Sequence, residues 1–185
     1  MTLSFADKPV LPGDRVTLRP VTAEDVPGLM ELLADPESKR LTATRVEPSH
    51  EAAERWYATR ADHDDRLDLA VVANETGEYV GEVVLNDLSV EDRSCGFRIC
   101  LLGPRVFGRG YGTEATRLLM RHAFETVGLH RVELDVYAFN PRARHVYEKA
   151  GFVLEGTKRE ALLWDGEWID AYAMAMLQSD WRAAS

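Results

Sequence analysis

A glycine-rich segment, Phe107-Gly-Arg-Gly-Tyr-Gly-Thr113, stands directly before an amphipathic run that is typical of a helix. Glycine adopts the backbone angles that turn successive N–H groups toward one point, and the start of a helix adds N–H groups without partners. Such donors together fit an anion such as a pyrophosphate. We therefore predict a phosphate cradle, for which an ordinary flexible loop is the alternative. The predicted cradle residues are Gly108, Arg109, Gly110, Tyr111, Gly112 and Thr113, with Arg105 as a further nearby positive charge.

Two common phosphate-binding motifs fit this segment poorly. A Walker loop ends in Gly-Lys-Ser/Thr, whereas Tyr111-Gly112-Thr113 stands here, so a nucleoside triphosphatase is not expected. The run from Gly110 to Ala115 does match the dinucleotide pattern G-x-G-x-x-A, and Glu133 and Asp135 follow about twenty residues later. However, residues 103–107 separate the preceding strand from the first glycine, and both acids lie inside a predicted strand. The context therefore argues against a dinucleotide fold.

A second motif is the run from Asn140 to Phe152, which contains Tyr147 and ends in Ala-Gly-Phe. Asn140 and Tyr147 are seven residues apart, close to two helical turns, so both can face one side of a short helix. Asn140 is also well suited to cap that helix, and capping alone would explain it.

Two further side chains are candidates for chemistry. Glu82 follows Gly81 on a predicted strand and lies on the opposite face from Val83 and Leu85, so it could act as a general base or simply be solvated. Cys100 has no histidine assigned to it as a partner, so a small buried residue is favoured over a nucleophile.

The elements that must position these residues follow from the hydrophobic pattern. Hairpin strands come first, then one β-loop-helix-β unit over 95–137, then a second hairpin around Asp165-Gly166. This order predicts an α/β (α+β) fold, in which a mixed, mostly antiparallel sheet of about seven strands is flanked by about four helices. Strands are predicted at 15–19, 69–73, 79–85, 95–101, 132–137, 152–163 and 168–177, and helices at 25–34, 50–63, 113–127 and 141–150.

Composition bounds the class of protein. The chain has 185 residues, of which 45% are hydrophobic and 29% are charged, and this suits a single domain over 1–185 with its core at about 14–178. Neither a membrane span nor a signal peptide is expected. Two cysteines without metal-site spacing indicate a reducing cytoplasm and no metal centre. A net charge of −9 argues against nucleic acid as a partner, and it would attract a cationic substrate or simply be solvated surface charge.

The paired loop and Asn…Tyr…Gly-Phe motifs resemble the GNAT N-acetyltransferases, and within them the RimJ/RimL-type branch, which acetylates ribosomal-protein N-termini. Of the two registers in which the family's loop pattern fits, starting at Arg105 or at Phe107, the second also aligns Pro104 and Thr113-Glu-Ala115. The signatures that carry the resemblance, over about residues 14–178, are Val16-Thr-Leu-Arg-Pro20, Val80-Gly-Glu82, Phe107–Ala115, Asn140–Phe152 and Trp164–Asp170.

The resemblance implies acetyl-CoA as co-substrate, transfer of the acetyl group to a primary amine in a ternary complex, and a GNAT-like fold. It implies that the pantetheine arm bonds to the main chain of Cys100, Leu101 and Leu102, and that the pyrophosphate meets N–H groups from Gly108 to Thr113. Asn140 would contact the coenzyme and Arg142 would approach its adenosine phosphate. Tyr147 would protonate the leaving thiolate, or else only pack against the coenzyme. Glu82, or water, would take the proton of the amine.

Several alternatives stay open. The donor could be a longer acyl-CoA such as succinyl-CoA, or the chain could bind an acyl-CoA without turnover. The acceptor could be a protein N-terminus, a polyamine, an antibiotic or another metabolite. We expect specificity to come from 35–47 and 164–168, whose acidic residues would form a mouth for an ammonium group. The sequence does not fix the oligomeric state, and a homodimer is one alternative.

Overall fold

The computed structural model describes residues 3–184. Eight strands cover much of the chain and alternate with the helices in the predicted order. They are β1 (Leu11–Pro12), β2 (Val16–Pro20), β3 (Leu67–Ala73), β4 (Tyr79–Ser89), β5 (Ser94–Leu101), β6 (Arg131–Tyr137), β7 (Val153–Trp164) and β8 (Glu167–Leu177).

Six α-helices accompany the strands. They are α1 (Val26–Ala34), α2 (Pro36–Thr42), α3 (His50–Thr59), α4 (Tyr111–Arg121), α5 (Pro141–Ala150) and α6 (Gln178–Ala184). Short 3-10 turns precede α1 and follow α3, and α4 continues into a π-helical segment, His122–Val127. Within residues 3–184, none of these helices is long and apolar enough to cross a membrane.

All strands join one mixed sheet in the order β1-β2-β3-β4-β5-β6-β8-β7. Neighbouring strands are antiparallel except for β5 and β6, which run parallel and are joined by the α4 crossover. The β5–β6 ladder has only three residue pairs, Ser94–Arg131, Cys95–Val132 and Gly96–Glu133. Beyond Gly96 the two strands separate, while β5 stays paired with β4 as far as Leu101. The sheet therefore contains a wedge between the carboxyl halves of β5 and β6.

Helices cover both faces of the sheet. The larger core cluster packs α4 and α5 on one face, with Leu119, Leu85 and Met176 fully buried. A smaller cluster, which includes Val26, Leu29, Ala53 and Tyr57, packs α1 and α3 on the other face. The wedge lies between strands that are held rigidly on both sides.

The predicted fold class is confirmed, with eight strands rather than about seven and six helices rather than about four. The extra strand is the two-residue edge strand β1, which is too short to show a periodic pattern. One extra helix, α2, lies in the segment that we expected to be a loop, and α6 closes the described chain. The boundaries of the last two strands lie within one residue of the prediction because Asp165-Gly166 forms the expected turn, with positive φ angles of 49° and 83°.

Candidate active site

The wedge is lined by side chains from both faces of the sheet. Phe97, Ile99 and Leu101 of β5 pack with the α4–α5 core, because alternate residues of a strand point to opposite faces. Arg98 and Cys100 point to the other face, beside Glu82 of β4. The gap therefore connects the α4–α5 side of the sheet with the α1–α3 side. Two molecules, one bound on each side, can come into contact within it.

The edge of β5 that faces the wedge carries main-chain groups without a strand partner. Hydrogen-bonded pairs alternate along an antiparallel ladder, and the Leu102 N–H donates to the Val80 carbonyl at 2.9 Å. The register then directs the main-chain groups of Cys100 toward β4 and those of Ile99 and Leu101 toward the wedge. Of the three residues predicted to bind a pantetheine arm through the main chain, Leu101 has the required orientation, whereas the N–H groups of Cys100 and Leu102 are directed at β4. The main-chain groups of Ile99, which was not predicted to bind the arm, do face the wedge.

The glycine loop ends on the first turn of α4. Gly108 and Gly110 have φ angles of 74° and 80°, a region that favours glycine, and Gly110 is the N-cap of the helix. The first bond of the helix runs from the Glu114 N–H to the Gly110 carbonyl at 3.1 Å. Within residues 3–184, no partner accepts from the N–H groups of the six residues Gly108 to Thr113. These are the six residues that the sequence predicts to form the cradle.

Positive charge near the cradle comes from a residue that the sequence analysis did not select. The Arg15 side chain donates from Nη1 to the Arg109 carbonyl at 3.2 Å, and its Cδ and Nε lie 3.6 Å from the position that a Cβ on Gly110 would occupy. The turn that carries Arg15 is held by Glu114, whose carboxylate accepts from the N–H groups of Asp14, Arg15 and Val16. Arg105 instead pairs with Glu31 at 2.9 Å.

Asn140 and Arg142 lie where α5 meets the wedge. Asn140 caps the helix, because its Oδ1 accepts from the Ala143 N–H at 3.1 Å. Capping therefore accounts for the side-chain oxygen of Asn140. Its side-chain NH2 group has no hydrogen-bond partner among the described residues. The Arg142 guanidinium stacks at 4.2 Å over the ring of Phe107 and lies 3.7 Å from Glu37. Phe107 thus fixes a cation beside the glycine loop.

Tyr147 is buried under β5. Its ring makes edge contacts with Phe97 and Phe152, at centroid distances of 6.0 and 5.9 Å. Burial, and to a smaller extent the neighbouring Cys100, raises the pKa of the Tyr147 phenol well above its usual value. The hydroxyl borders the wedge and makes no hydrogen bond to any of residues 3–184. It is therefore held in the protonated form and can donate into the wedge.

Glu82 lies on the opposite side of the gap and belongs to a short hydrogen-bond chain. Its Oε2 accepts from the Tyr57 hydroxyl at 2.6 Å, and the hydroxyls of Tyr57 and Tyr79 are 3.1 Å apart. Burial raises the pKa of Glu82, the hydrogen bond from Tyr57 lowers it, and the charges of Asp68 and Arg98 act in opposite senses. A carboxyl group with a raised pKa, beside a gap, is suited to take a proton.

Cys100 lies between these two groups. Burial, followed by the charge of Glu82, raises the pKa of its thiol to about 12. The thiol is therefore neutral at physiological pH, as expected for a packing residue rather than a nucleophile.

The segments predicted to form the acceptor mouth do meet: Arg45 donates to the Leu163 carbonyl, with its guanidinium 5.9 Å from the Trp164 ring. Three of the acidic residues expected there are already engaged. Asp35 caps α2 by accepting from the Ser38 N–H at 2.7 Å, Glu37 faces Arg142, and Glu47 pairs with Lys39. The mouth is therefore less acidic in effect than its sequence indicates.

Three residues of the site, Ile99, Tyr57 and Arg15, were not predicted from the sequence. Ile99 is identified only by the strand register, and the Tyr57–Glu82 bond joins residues from a helix and a strand. Arg15 has a signal, because it precedes the Val16-Thr-Leu-Arg run that forms β2, but the proximity of that strand to α4 follows from the sheet order.

Comparisons with known proteins agree with this geometry. Residues 15–153 match the acetyltransferase (GNAT) domain family. Spermidine N(1)-acetyltransferase of Vibrio cholerae is 32% identical over 117 residues, which cover 63% of this chain and 67% of that protein. The L-amino acid N-acetyltransferase AaaT of Escherichia coli is 28% identical over 165 residues, which cover 88% and 98%. The crystal structure of spermidine N-acetyltransferase from Vibrio cholerae in complex with CoA and spermine has a TM-score of 0.84 at 25% identity, covering 92% of this chain and 99% of that one.

The family match spans most of the chain, and it includes the glycine loop, Glu82 and the α5 motif that surround the wedge. The similar proteins with assigned activities are N-acetyltransferases. The chain therefore belongs to the GNAT acetyltransferase family and is an N-acetyltransferase.

Proposed function

We propose that the enzyme transfers the acetyl group of acetyl-CoA to a small-molecule primary amine, with both reactants bound in the wedge at once. The observation that carries this proposal is the gap between β5 and β6, because it opens to both faces of the sheet. Holding donor and acceptor in one gap replaces a bimolecular encounter by an oriented contact. In favourable cases this alone lowers the activation barrier by about 7 kcal/mol or more.

The chain fits the donor on the α4–α5 side. Six consecutive N–H groups from Gly108 to Thr113, at the positive end of a helix, suit a diphosphate. The main-chain groups of Ile99 and the N–H of Leu101 suit an arm that contains amide groups, as pantetheine does, while the Leu101 carbonyl already accepts from the Gly103 N–H at 2.8 Å. Asn140 offers an NH2 donor, and Arg15 and Arg142 supply positive charge. A CoA-bound relative with the same fold supports this placement.

On the donor side, Tyr147 holds a proton next to the place where a thiolate would leave. Its raised pKa keeps the phenol neutral throughout the physiological range, so the proton is available for donation. The neighbouring thiol of Cys100 has a pKa of about 12 and is itself a poor acid.

On the acceptor side, Glu82 is the proposed general base, and water is the alternative. An ammonium group must lose a proton before its nitrogen can attack, and a carboxylate with a raised pKa is a better acceptor of that proton than an ordinary one. Tyr57 orients the carboxylate through its 2.6 Å hydrogen bond, which leaves the other oxygen for the amine.

We favour a small amine because similar proteins carry names that specify spermidine and L-amino acids. The RimJ/RimL-type resemblance, and with it a protein N-terminus as acceptor, stays a prediction and is included in the test. Succinyl-CoA is the alternative donor. The cytoplasm and a homodimer also stay predictions, the first on the basis of the free cysteines Cys95 and Cys100.

The test is an assay of CoA-thiol release at saturating acetyl-CoA or succinyl-CoA. The acceptors are polyamines, free amino acids, aminoglycosides and peptides that begin with Ser or Ala. Amine-dependent thiol release with acetyl-CoA and one small-molecule class supports the proposal. Release with peptides alone would move the assignment to a protein N-terminus, and CoA binding without any release would leave only a binding module.

A further inference from the structure

Arg98 is a cation in the acceptor half of the wedge. It lies on β5 two residues before Cys100, so both side chains point to the face that carries Glu82. Arg98 pairs across the ladder with Val84, and Cys100 pairs with Glu82, which makes Arg98 and Glu82 diagonal neighbours on one face. The charge of Arg98 is near enough to lower the pKa of Glu82 against the effect of burial.

Each of the other cations that line the wedge within the described chain has a carboxylate partner. Arg131 pairs with Glu133 at 2.9 Å and with Glu155 at 2.6 Å, and Lys158 pairs with Asp135 at 2.6 Å. Arg142 faces Glu37 at 3.7 Å.

By contrast, Arg98 forms no ion pair and no hydrogen bond with any residue from 3 to 184. A guanidinium in a concave site presents a planar set of donors that matches a carboxylate in bidentate geometry.

Four of the acids of the same region already have partners. Glu133, Asp135 and Glu155 are taken up by the pairs just described, and Asp35 is taken up by the α2 cap. Besides Glu82 itself, Asp87 is the wedge-lining carboxylate, within the described chain, that has no ion pair, and it accepts from the Asn86 side-chain amide. Beside Glu82, Arg98 is thus the wedge-lining cation that has no carboxylate partner in the described chain.

We propose that Arg98 binds a carboxylate of the acceptor, so that the preferred substrate is a free amino acid whose amine faces Glu82. This assignment rests on the proposed N-acetyltransferase function and narrows its substrate class. Arg98 acts as a specificity residue: it positions the amine through the neighbouring carboxylate and takes no part in proton transfer. A polyamine, which has no carboxylate, would leave the guanidinium without a partner.

The experiment compares three acceptors that share one side chain: leucine, leucinamide and 3-methylbutylamine. The values of kcat/KM for acetyl-CoA-dependent thiol release are expressed per concentration of neutral amine, which removes differences in amine pKa. We expect leucine to be preferred over both carboxylate-free analogues by at least about tenfold. Arg98→Gln should lower kcat/KM for leucine about 10- to 100-fold and leave the two analogues nearly unchanged. Arg98→Lys should restore part of the loss.

Arg182→Gln is the matched control, because Arg182 is exposed on α6, away from the wedge. It should behave as the wild type with all three acceptors. Equal or better turnover of 3-methylbutylamine or spermidine by the wild-type enzyme would overturn the role of Arg98 while leaving the N-acetyltransferase proposal intact. An equal loss on all three acceptors in Arg98→Gln would also overturn it. If no amine of any class gives thiol release, the proposed N-acetyltransferase function itself is overturned.

Discussion

The Tyr147 side chain is buried, and its hydroxyl borders the wedge on the side that fits the donor, without a hydrogen-bond partner among the described residues. Because Tyr147→Phe keeps the ring contacts with Phe97 and Phe152, it separates packing from proton donation. We expect turnover at saturating substrates to fall about 10²- to 10⁴-fold, with little change in acetyl-CoA affinity measured by calorimetry. Phe152→Leu controls for a change in packing alone. Near-normal turnover in Tyr147→Phe would end the general-acid assignment.

The hydrogen bond from Tyr57 to Glu82 predicts a change in pH dependence. A general base must be ionised, so kcat/KM should rise with pH through the pKa of Glu82, which burial raises above its usual value. The Tyr57 bond lowers that pKa, so Tyr57→Phe should move the rise in kcat/KM to higher pH. The measurement is the pH profile of kcat/KM at fixed acetyl-CoA.

The control for this profile is Tyr172→Phe, because Tyr172 stacks under Arg144 and does not contact Glu82. It should keep the wild-type profile. Glu82→Gln should remove the pH-dependent rise that belongs to the carboxyl group. A wild-type profile in both Tyr57→Phe and Glu82→Gln would assign the base to water or to another group.

At the scale of elements, the glycine loop and the first turn of α4 act as one unit. Gly110 caps the helix at φ 80°, so a β-branched residue there strains the backbone and displaces the N–H groups that follow. Gly110→Val should weaken CoA binding about tenfold or more, as measured by calorimetry. Gly77→Val is a matched control, since Gly77 has φ 72° and open space around it in the β3–β4 turn. Equal CoA affinity in both variants would remove the cradle from the binding site.

Most of the elements could be predicted from the sequence because their signals are local. The α5 boundaries follow from Asn140 as N-cap, Pro141 at the first position and Gly151 at the end, and the structure has the same boundaries. The helix α2 was missed although Asp35-Pro36 is a comparable start signal. The π-helical segment after Arg121 keeps the amphipathic pattern of α4, so periodicity alone does not reveal it.

At the scale of the whole molecule, the sequence motifs indicated the family and the fold class but not the gap between β5 and β6 or the contacts within it. The separation of β5 from β6 after Gly96, and hence the role of Ile99, depends on how distant strands pair. The pairing of Glu47 with Lys39 and of Glu37 with Arg142 likewise depends on tertiary contacts. An acidic mouth was therefore predicted from the sequence, whereas an Arg98 without a carboxylate partner was not. Net charge of −9 describes the chain and not this site.

The three-pair ladder between β5 and β6 also has a thermodynamic consequence. The two parts of the sheet are joined there by three residue pairs, compared with seven between β4 and β5. A coenzyme that bonds to the free edge of β5 and to the α4 turn would bind the folded chain and not the unfolded one, so occupancy and stability become linked by mass action. At a CoA concentration of 100 Kd the expected stabilisation is about 2.7 kcal/mol, seen as a higher melting midpoint by calorimetry. Gly110→Val should show a smaller rise at the same concentration, so that a melting curve reports on the cradle before any acceptor is known.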